Sequence, residues 1–440
     1  MGGSQLGISP ADGIWQHGQV KILYISQYFP PEMGAPAARA SELAPHWASA
    51  GHEITVLTGF PNHPTGIVPP DYRAKLRRLI LREKWHGVNV LRTWLWPLPN
   101  RRAHERILNY TSFFLSSAVA GQFTPQPDVV IASSPQLLVA LSGWLVARGK
   151  NVPFVFEVRD LWPESLQAVG MAEAHAPLHR LLAKVAGFLY RNCDHIVAVT
   201  PAFKDHLVRN WRIPPQKISI VQNGVETGLF APNNATSLRK QLRIEDKFVV
   251  SYIGTLGLAH GLESLLKAAE QLQHTNPEIL FVIVGEGAER ERIVQLAHDR
   301  GLANVRFLGQ QPHEAIPGFI NASDACLVLL KKSQLFKTVI PTKMLEFMSC
   351  SCPVILGGDG EARRILEEAQ AGICVEPENP SELAEAVLRL ADDYKLRNTL
   401  GSNGRRYIVQ HLSRVQTANV YIDVLNSLLR GSTYTRAAAA

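Results

Sequence analysis

Cysteine is scarce in this chain: five residues in 440 (Cys193, Cys326, Cys350, Cys352 and Cys374), an odd number. That excludes a disulfide scaffold. With no paired Cys-x-x-Cys or Cys/His cluster, and Cys350-Ser351-Cys352 too tight to chelate, it also excludes a zinc module. Reduced, buried thiols are expected, as suits a cytoplasmic protein. Residues 1–19 lack the charged start and apolar core of a signal peptide and are read as an extension outside the fold. Low-complexity tracts and heptads are missing too, which leaves a globular protein. The one long uncharged run, Val129–Ala147, is nominally long enough to span a bilayer. Ser133-Ser134-Pro135-Gln136 breaks it in the middle, so it reads as a buried strand, Val129–Ala132, followed by a buried helix, Leu137–Arg148.

With 46% hydrophobic and 19% charged residues, the length suits two or three domains. The formal charge of +7 is unevenly placed. Residues 1–220 hold 22 Lys/Arg against 14 Asp/Glu, or +8, and residues 221–440 hold 23 against 24, or −1. Ten basic groups fall within 73–106 (Arg73, Lys75, Arg77, Arg78, Arg82, Lys84, Arg92, Arg101, Arg102 and Arg106), opposed only by Glu83 and Glu105. Nucleic acid, an anionic membrane surface, a phosphorylated substrate and a plain solvated face all fit such a patch. The apolar Ile107–Gly121 beside it reads either as a core helix or as a surface that dips into a membrane interface.

Continuous apolar runs at Val20–Ser26, Glu53–Thr58, Val88–Thr93, Val129–Ala132, Phe154–Glu157 and His195–Thr200 read as strands. After the Pro-rich Trp211–Pro215 a second series follows: Phe248–Ile253, Leu280–Val284, Val305–Leu308, Ala325–Leu329, Pro353–Leu356 and Gly372–Val375. Helical patterns lie between them, among them Ala35–Gly51, so each series predicts a parallel sheet covered on both faces. The class is α/β, with two doubly wound domains at 20–216 and 217–412. A helix over 413–430 packs back on the first domain, and a tail covers 431–440. Ligands in such sheets bind beyond the carboxyl ends of the strands, so two facing domains make a cleft.

The motifs sit at those ends. Ser26–Ala37 leads from the first strand into a helix without the Gly-x-Gly-x-x-Gly of a dinucleotide site, which argues against a nicotinamide dehydrogenase. Its Gly34 lies just before a helix N-terminus, a place for an anion. Gly59-Phe60-Pro61-Asn62-His63-Pro64-Thr65-Gly66 offers Asn62 and His63 as polar tips. Glu157-Val158-Arg159-Asp160-Leu161-Trp162-Pro163-Glu164 crowds three carboxylates and an Arg beside Trp162, costly for packing alone. It reads as polar contact with a sugar-like ligand or as a structural Arg–Asp pair. Gly254-Thr255-Leu256-Gly257 and Val284-Gly285-Glu286-Gly287 bring amides to strand ends. Val339-Ile340-Pro341-Thr342-Lys343-Met344-Leu345-Glu346 is the strongest element. Thr342 is expected as N-cap, Lys343 adds a full charge to anion-accepting amides, and Glu346 lies one turn on, where it could accept from a ribose diol or simply support the helix dipole.

Taken together, the Pro-Pro-Glu-x-Gly loop, Gly51-His52-Glu53, Asn223-Gly224-Val225-Glu226, Gly254-Thr255-Leu256, Val284-Gly285-Glu286-Gly287 and Lys343-x-x-Glu346 with Ser351-Cys352-Pro353 resemble glycosyltransferase family 4 over roughly residues 20–425. Pro-Asn-His-Pro-Thr-Gly and Arg-Asp-Leu-Trp-Pro-Glu-Ser are more narrowly similar to its bacterial surface-polysaccharide branch, which includes L-fucosamine transferases. The resemblance implies the GT-B fold and a retaining, metal-independent hexosyltransferase, a reading that the absence of any Asp-x-Asp matches. The donor it implies is an NDP-sugar, UDP-linked by preference, held by the second domain. Glu346 would bind ribose, and Ile340, Thr342 and Lys343 the diphosphate. Gly254, Thr255, His260 and Glu286 would line the same pocket. Gly34 would lie near the sugar, and Asp160, Glu157 or His63 near the acceptor as catalytic groups.

Two departures stand out: Thr338 takes the place of the family's first Glu, and Thr255 and His260 replace its phosphate-binding Arg and Lys. Lys343, helix amides, Lys331 or Lys332 must then meet the diphosphate. With this resemblance the 73–106 and 107–121 segments suggest an anionic membrane surface bearing a polyprenyl-diphosphate-linked or saccharide acceptor, not nucleic acid, with the protein peripheral on the inner face. A sugar-nucleotide epimerase and a non-catalytic nucleotide-sugar binding protein are the competing readings.

Overall fold

The computed structural model describes residues 18–32, 35–63, 65–99, 102–162, 164 and 177–437. Its first sheet has eight strands: β1 (Lys21–Ile25), β2 (Glu53–Gly59), β3 (Ile80–Trp85), β4 (Val88–Thr93), β5 (Val129–Ser133), β6 (Phe154–Val158), β7 (His195–Ala198) and β8 (Ile218–Ile220), in spatial order 3-4-2-1-5-6-7-8. The run Val129–Ala147 resolves into β5 and a helix at Leu137–Lys150. No helix among the described residues is long and apolar enough to cross a membrane.

Every pairing in this sheet is parallel except β3 with β4. β3 escapes sequence reading because it lies inside the basic stretch, as Ile-Leu-Arg-Glu-Lys-Trp. Charged side chains are a usual guard on an exposed edge strand. The two-residue turn His86-Gly87, both at positive φ, closes the hairpin. Arg92, counted in sequence as part of the basic patch, is buried; its guanidinium is held by Glu83 and by the Gly59 and Pro30 carbonyls. The patch is smaller than the composition suggests.

The second sheet, β9 (Phe248–Ile253), β10 (Ile279–Val284), β11 (Val305–Gly309), β12 (Ala325–Leu329), β13 (Val354–Gly357) and β14 (Gly372–Val375), is wholly parallel in order 11-10-9-12-13-14. Each sheet is sandwiched between two apolar clusters. Because β8 pairs with β7 (Ile196 opposite Ile218), the first domain runs through Ile220, beyond the expected boundary at 217.

Two chain crossings join the domains side by side. The outgoing linker meets the returning segment at Val225 and Ser413, where Val225 N donates to the Leu412 carbonyl and Arg414 N to that of Val225. Gly224 permits this approach: a Cβ there would sit 2.7 Å from Thr417 Oγ1 and 3.0 Å from the carbonyl oxygens of Leu412 and Ser413. The last helix, Arg414–Ala437, extends through the expected tail and covers the first domain, with Tyr421, Ile422 and Leu425 packed beside Trp47. Trp47 Nε1 donates to the Ala418 carbonyl at 3.1 Å. Beyond the carboxyl ends of the strands the domains touch again: Thr200 Oγ1, after β7, donates to the Thr338 carbonyl, after β12, at 3.0 Å.

Candidate active site

In the second domain, three strand-end loops and one helix converge. Gly254 (φ 142°) and Gly285 (φ 144°) follow β9 and β10 so closely that a Cβ on Gly285 would lie 1.9 Å from the Gly254 carbonyl oxygen. Only glycine suits that pair. The helix Thr342–Ser349 opens at the same place. Pro341, not Thr342, is its N-cap residue, and no side chain caps it. Proline cannot cap through a side chain and presets the entry φ, so Thr342 becomes the first helical residue and its expected capping role is corrected. The free amides of this turn are therefore open to an anion.

Lys343 is the centre of this half. Its Nζ is buried with no hydrogen-bond partner among the described residues, lies 4.0 Å from the centroid of the Tyr252 ring, and runs along Gly254, whose Cβ position is 3.4 Å from that nitrogen. The Tyr252 hydroxyl is tied to the Thr255 carbonyl at 2.7 Å, which fixes the ring as a platform. Burial pulls the Lys343 amine down to about 7, against the raising influence of Glu346. An orphaned buried cation beside glycine amides needs a counter-anion. Glu346, one turn on, is pushed up to about 7 by burial and by Glu42, with Arg414 and Lys343 opposing.

The other named donor residues are arranged more plainly. His260 Nδ1 lies 3.2 Å from the Leu329 carbonyl oxygen, and burial and Lys343 hold the ring down to about 4, so it is a neutral group rather than a cation. Thr255 is exposed, Ile340 half-buried, and Glu286 spends its carboxylate on Arg290 at 3.1 Å. Lys332 and Lys331 lie after β12; each uses its backbone amide, toward Glu378 and the Ala259 carbonyl respectively.

In the first domain, the loops after β1 and β2 are held by the carboxylate of the Pro-Pro-Glu-x-Gly loop, whose role the sequence alone does not disclose. Glu32 Oε1 accepts from both Asn62 N and His63 N at 2.9 Å, and Oε2 from Phe29 N at 3.3 Å. Burial nonetheless pushes Glu32 up to about 7. The ring of His63 packs on Tyr28 with centroids 4.7 Å apart, and burial lowers its pKa. Asn62, Asn109 and Gln27 chain together behind them, with Asn109 Nδ2 also bonded to the Trp96 carbonyl. Asp160 is mostly buried and pushed up to about 6, while its backbone N–H and that of Arg159 donate to Ser134 Oγ. Gly34 lies outside the described residues.

Glu157 is the residue the structure moves out of the site. It is fully buried, one oxygen 3.0 Å from Arg39 Nε and the other 2.5 Å from the Tyr24 hydroxyl. Arg39 in turn donates to the Val221 and Gln222 carbonyls and to Asn223 Oδ1. Burial raises the Glu157 carboxyl, but Arg39 and Arg159 outweigh it and hold the pKa low. With both oxygens committed, it anchors the linker instead of facing an acceptor. Nearby, Arg414 at the start of the last helix pairs with Glu42 and approaches Glu226, which also meets His46 at 2.7 Å. Arg39, Glu42 and Arg414 gave no motif; only folding brings them together.

Comparison with known proteins agrees with this layout. Residues 34–224 match the model of the glycosyl transferase 4-like domain, and residues 234–407 that of glycosyl transferases group 1. A relative in Escherichia coli (strain K12), WcaI, whose name places it as a glycosyl transferase in colanic acid biosynthesis, is 24% identical over 84% of this chain and 91% of its own. Among solved structures, sucrose-phosphate synthase from Thermosynechococcus elongatus superposes with a TM-score of 0.73 (21% identity, 93% of this chain and 99% of that one). Anabaena Alr3699/HepE in complex with UDP-glucose superposes with 0.67 (18% identity, 93% and 100%).

Proposed function

Because this chain is a GT-B glycosyltransferase that joins a glycosyl transferase 4-like domain to a glycosyl transferases group 1 domain, we propose that it moves a sugar from a UDP-sugar to a lipid-linked acceptor in surface-polysaccharide biosynthesis, with retention and without a metal. The observation that carries this reading is the unpartnered Lys343 Nζ above Tyr252, between the Gly254 loop and the uncapped helix that holds Glu346. A diphosphate supplies the missing counter-charge, and the Glu346 carboxylate accepts from the ribose hydroxyls. The solved relative that holds UDP-glucose supports the donor class, and WcaI the polysaccharide context.

In the reaction the acceptor oxygen bonds to the anomeric carbon on the face from which the phosphate oxygen leaves, and the acceptor's proton passes to that oxygen. Lys343 and the helix amides offset the charge that develops on the diphosphate. On the acceptor side, His63 and Asp160 orient the incoming hydroxyl. Exposed Trp96, Ile107 and Leu108 beside this corner, with Arg77 and Arg78 further out and in no ion pair among the described residues, seat the protein on an anionic membrane that presents the acceptor.

A melting-temperature panel of UDP, GDP and ADP tests the donor site. Ligand at 100 times its dissociation constant adds about 2.7 kcal/mol, and Glu346→Ala should remove the shift. Equal response to all three nucleotides would sink the UDP preference. Transfer with inverted anomeric configuration, or conversion of donor without an acceptor, would overturn the reaction. Flotation with phosphatidylglycerol vesicles should weaken in Arg77→Glu/Arg78→Glu; equal flotation would remove the membrane.

A further inference from the structure

The open edge of the first sheet carries a groove remote from the reaction. The antiparallel register sets Arg82 opposite Leu91 and Lys84 opposite Asn89, which places these four side chains on one face. With Thr55 of β2 and the Thr124-Pro125 segment after the helix Ala103–Gln122, they line a cavity of about 420 Å³ whose walls are mostly apolar. Asn109, at the acceptor corner, and Gln122, the last helical residue before the groove, are separated by about 20 Å along the helix axis at 1.5 Å per residue. The groove opens beside the amino half of β2, the opposite end from the loop that carries His63.

Glu83 and Val90 also line the groove, but the uncommitted charge at its rim is of one sign. Arg82 and Lys84 are exposed and make no ion pair among the described residues, while Glu83 between them is committed to Arg92 on the other face. Phe123, next to the groove, is 74% exposed, as is Leu79 just before β3. Val119 is exposed one turn back along the helix. A chain-sized apolar slot with free cations at its rim, set among exposed apolar side chains, matches an amphiphile with a hydrocarbon tail and an anionic head.

We infer that the groove takes one acyl chain of an anionic membrane phospholipid, with its phosphate on Arg82 and Lys84. This contact fixes the tilt of the first domain, so that the acceptor corner faces the bilayer. The inference rests on the membrane seat proposed above and adds a discrete site to it.

Dioctanoyl phosphatidylglycerol, kept below its micelle concentration, is the probe, followed by titration calorimetry on the full chain. Dioctanoyl phosphatidylcholine and inorganic phosphate are the comparisons. One phosphatidylglycerol should bind per protein, at least tenfold more tightly than phosphatidylcholine, and phosphate should not bind. Asn89→Trp, which fills the groove without changing charge, should weaken binding at least tenfold; if it melts early, Arg82→Ser/Lys84→Ser takes its place. Equal binding by wild type and the variant that folds would overturn the site. Displacement of the lipid by a short polyprenyl diphosphate at lower concentration would also overturn it, by giving the groove to the acceptor's tail. UDP-induced stabilisation and transfer to a detergent-solubilised acceptor, measured in parallel on wild type, report separately on the reaction: their absence would sink the transferase reading and leave the groove standing.

Discussion

Arg39 Nε lies 3.0 Å from Glu157 Oε1, and neither side chain reaches solvent. Arg39 belongs to the helix after β1 and Glu157 to β6, yet the guanidinium's other donors end on the linker at Val221, Gln222 and Asn223. The pair therefore ties the core of the first domain to the segment that links the two domains.

Glu157→Gln separates a structural from a catalytic role. Removing one charge from a buried pair leaves the other uncompensated, at a cost of about 3–5 kcal/mol. Denaturant unfolding should show that loss, and the folded remainder should keep its UDP affinity. A variant of unchanged stability with abolished turnover would instead return Glu157 to the catalytic set.

Lys343→Met should stabilise the empty protein and disable the donor site together. The wild-type amine is buried without a partner, a state that costs about 1–3 kcal/mol. Its folded pKa, about 7, lies below the unfolded value of about 10.4. The penalty is thus fully present below pH 7 and fades as pH rises toward 10, because the folded state sheds its proton first. Melting curves at pH 6.5 and 9.5 should show the gain of Lys343→Met shrinking at the higher pH. A constant gain would disprove the shift.

The same amine makes nucleotide binding pH-dependent. A diphosphate favours charged Lys343, so binding near pH 8 should draw a proton from the buffer. Affinity should fall as pH climbs above 7 until the bound-state pKa is reached. Glu346, raised to about 7, releases a proton when ribose hydroxyls favour its carboxylate, and so opposes this below neutrality. Calorimetry in two buffers of different ionisation heat counts the net protons. Glu346→Gln should increase uptake, and Lys343→Met should abolish it.

Much of this was legible in sequence, for identifiable reasons. Strands such as Val129–Ser133 and Ile279–Val284 are buried along their whole length, so continuous apolar runs disclose them. β3 is half charged because it guards an edge, and β8 has only three residues, so neither leaves a pattern. At the site, Lys343 and Glu346 share one helix face and could be read from spacing. Tyr252, inside a strand motif, shows its platform role only once Lys343 folds over it. The family resemblance implies Glu157 near the acceptor, while the crowding of three carboxylates at one strand end leaves a structural ion pair open. The partner that makes it structural, Arg39, lies 118 residues away.

Glu32 offers a test of the acceptor loop. Its carboxylate receives three backbone N–H groups from the loops after β1 and β2. Glu32→Ala should free Asn62 and His63, raising the acceptor KM several-fold while UDP affinity holds. Loss of UDP affinity would show instead that this loop shapes the donor pocket.

Gly224→Ala tests the hinge itself. The added Cβ meets Thr417 Oγ1 and two carbonyl oxygens of the returning segment, and because carbonyls do not rotate away, the two crossings must part. Overpacking of this kind costs about 1–3 kcal/mol. Gly228→Ala, where a Cβ meets nothing within 4 Å, is the control and should stay within about 0.5 kcal/mol of wild type. Because the single bridge between Val225 and Ser413 sets how the second domain faces Glu42 and the loops after β1 and β2, Gly224→Ala should also lower kcat more than UDP affinity. Equal stability of the two variants would mean that the crossings have slack, and that hinge geometry is held by Arg39 and Arg414 alone.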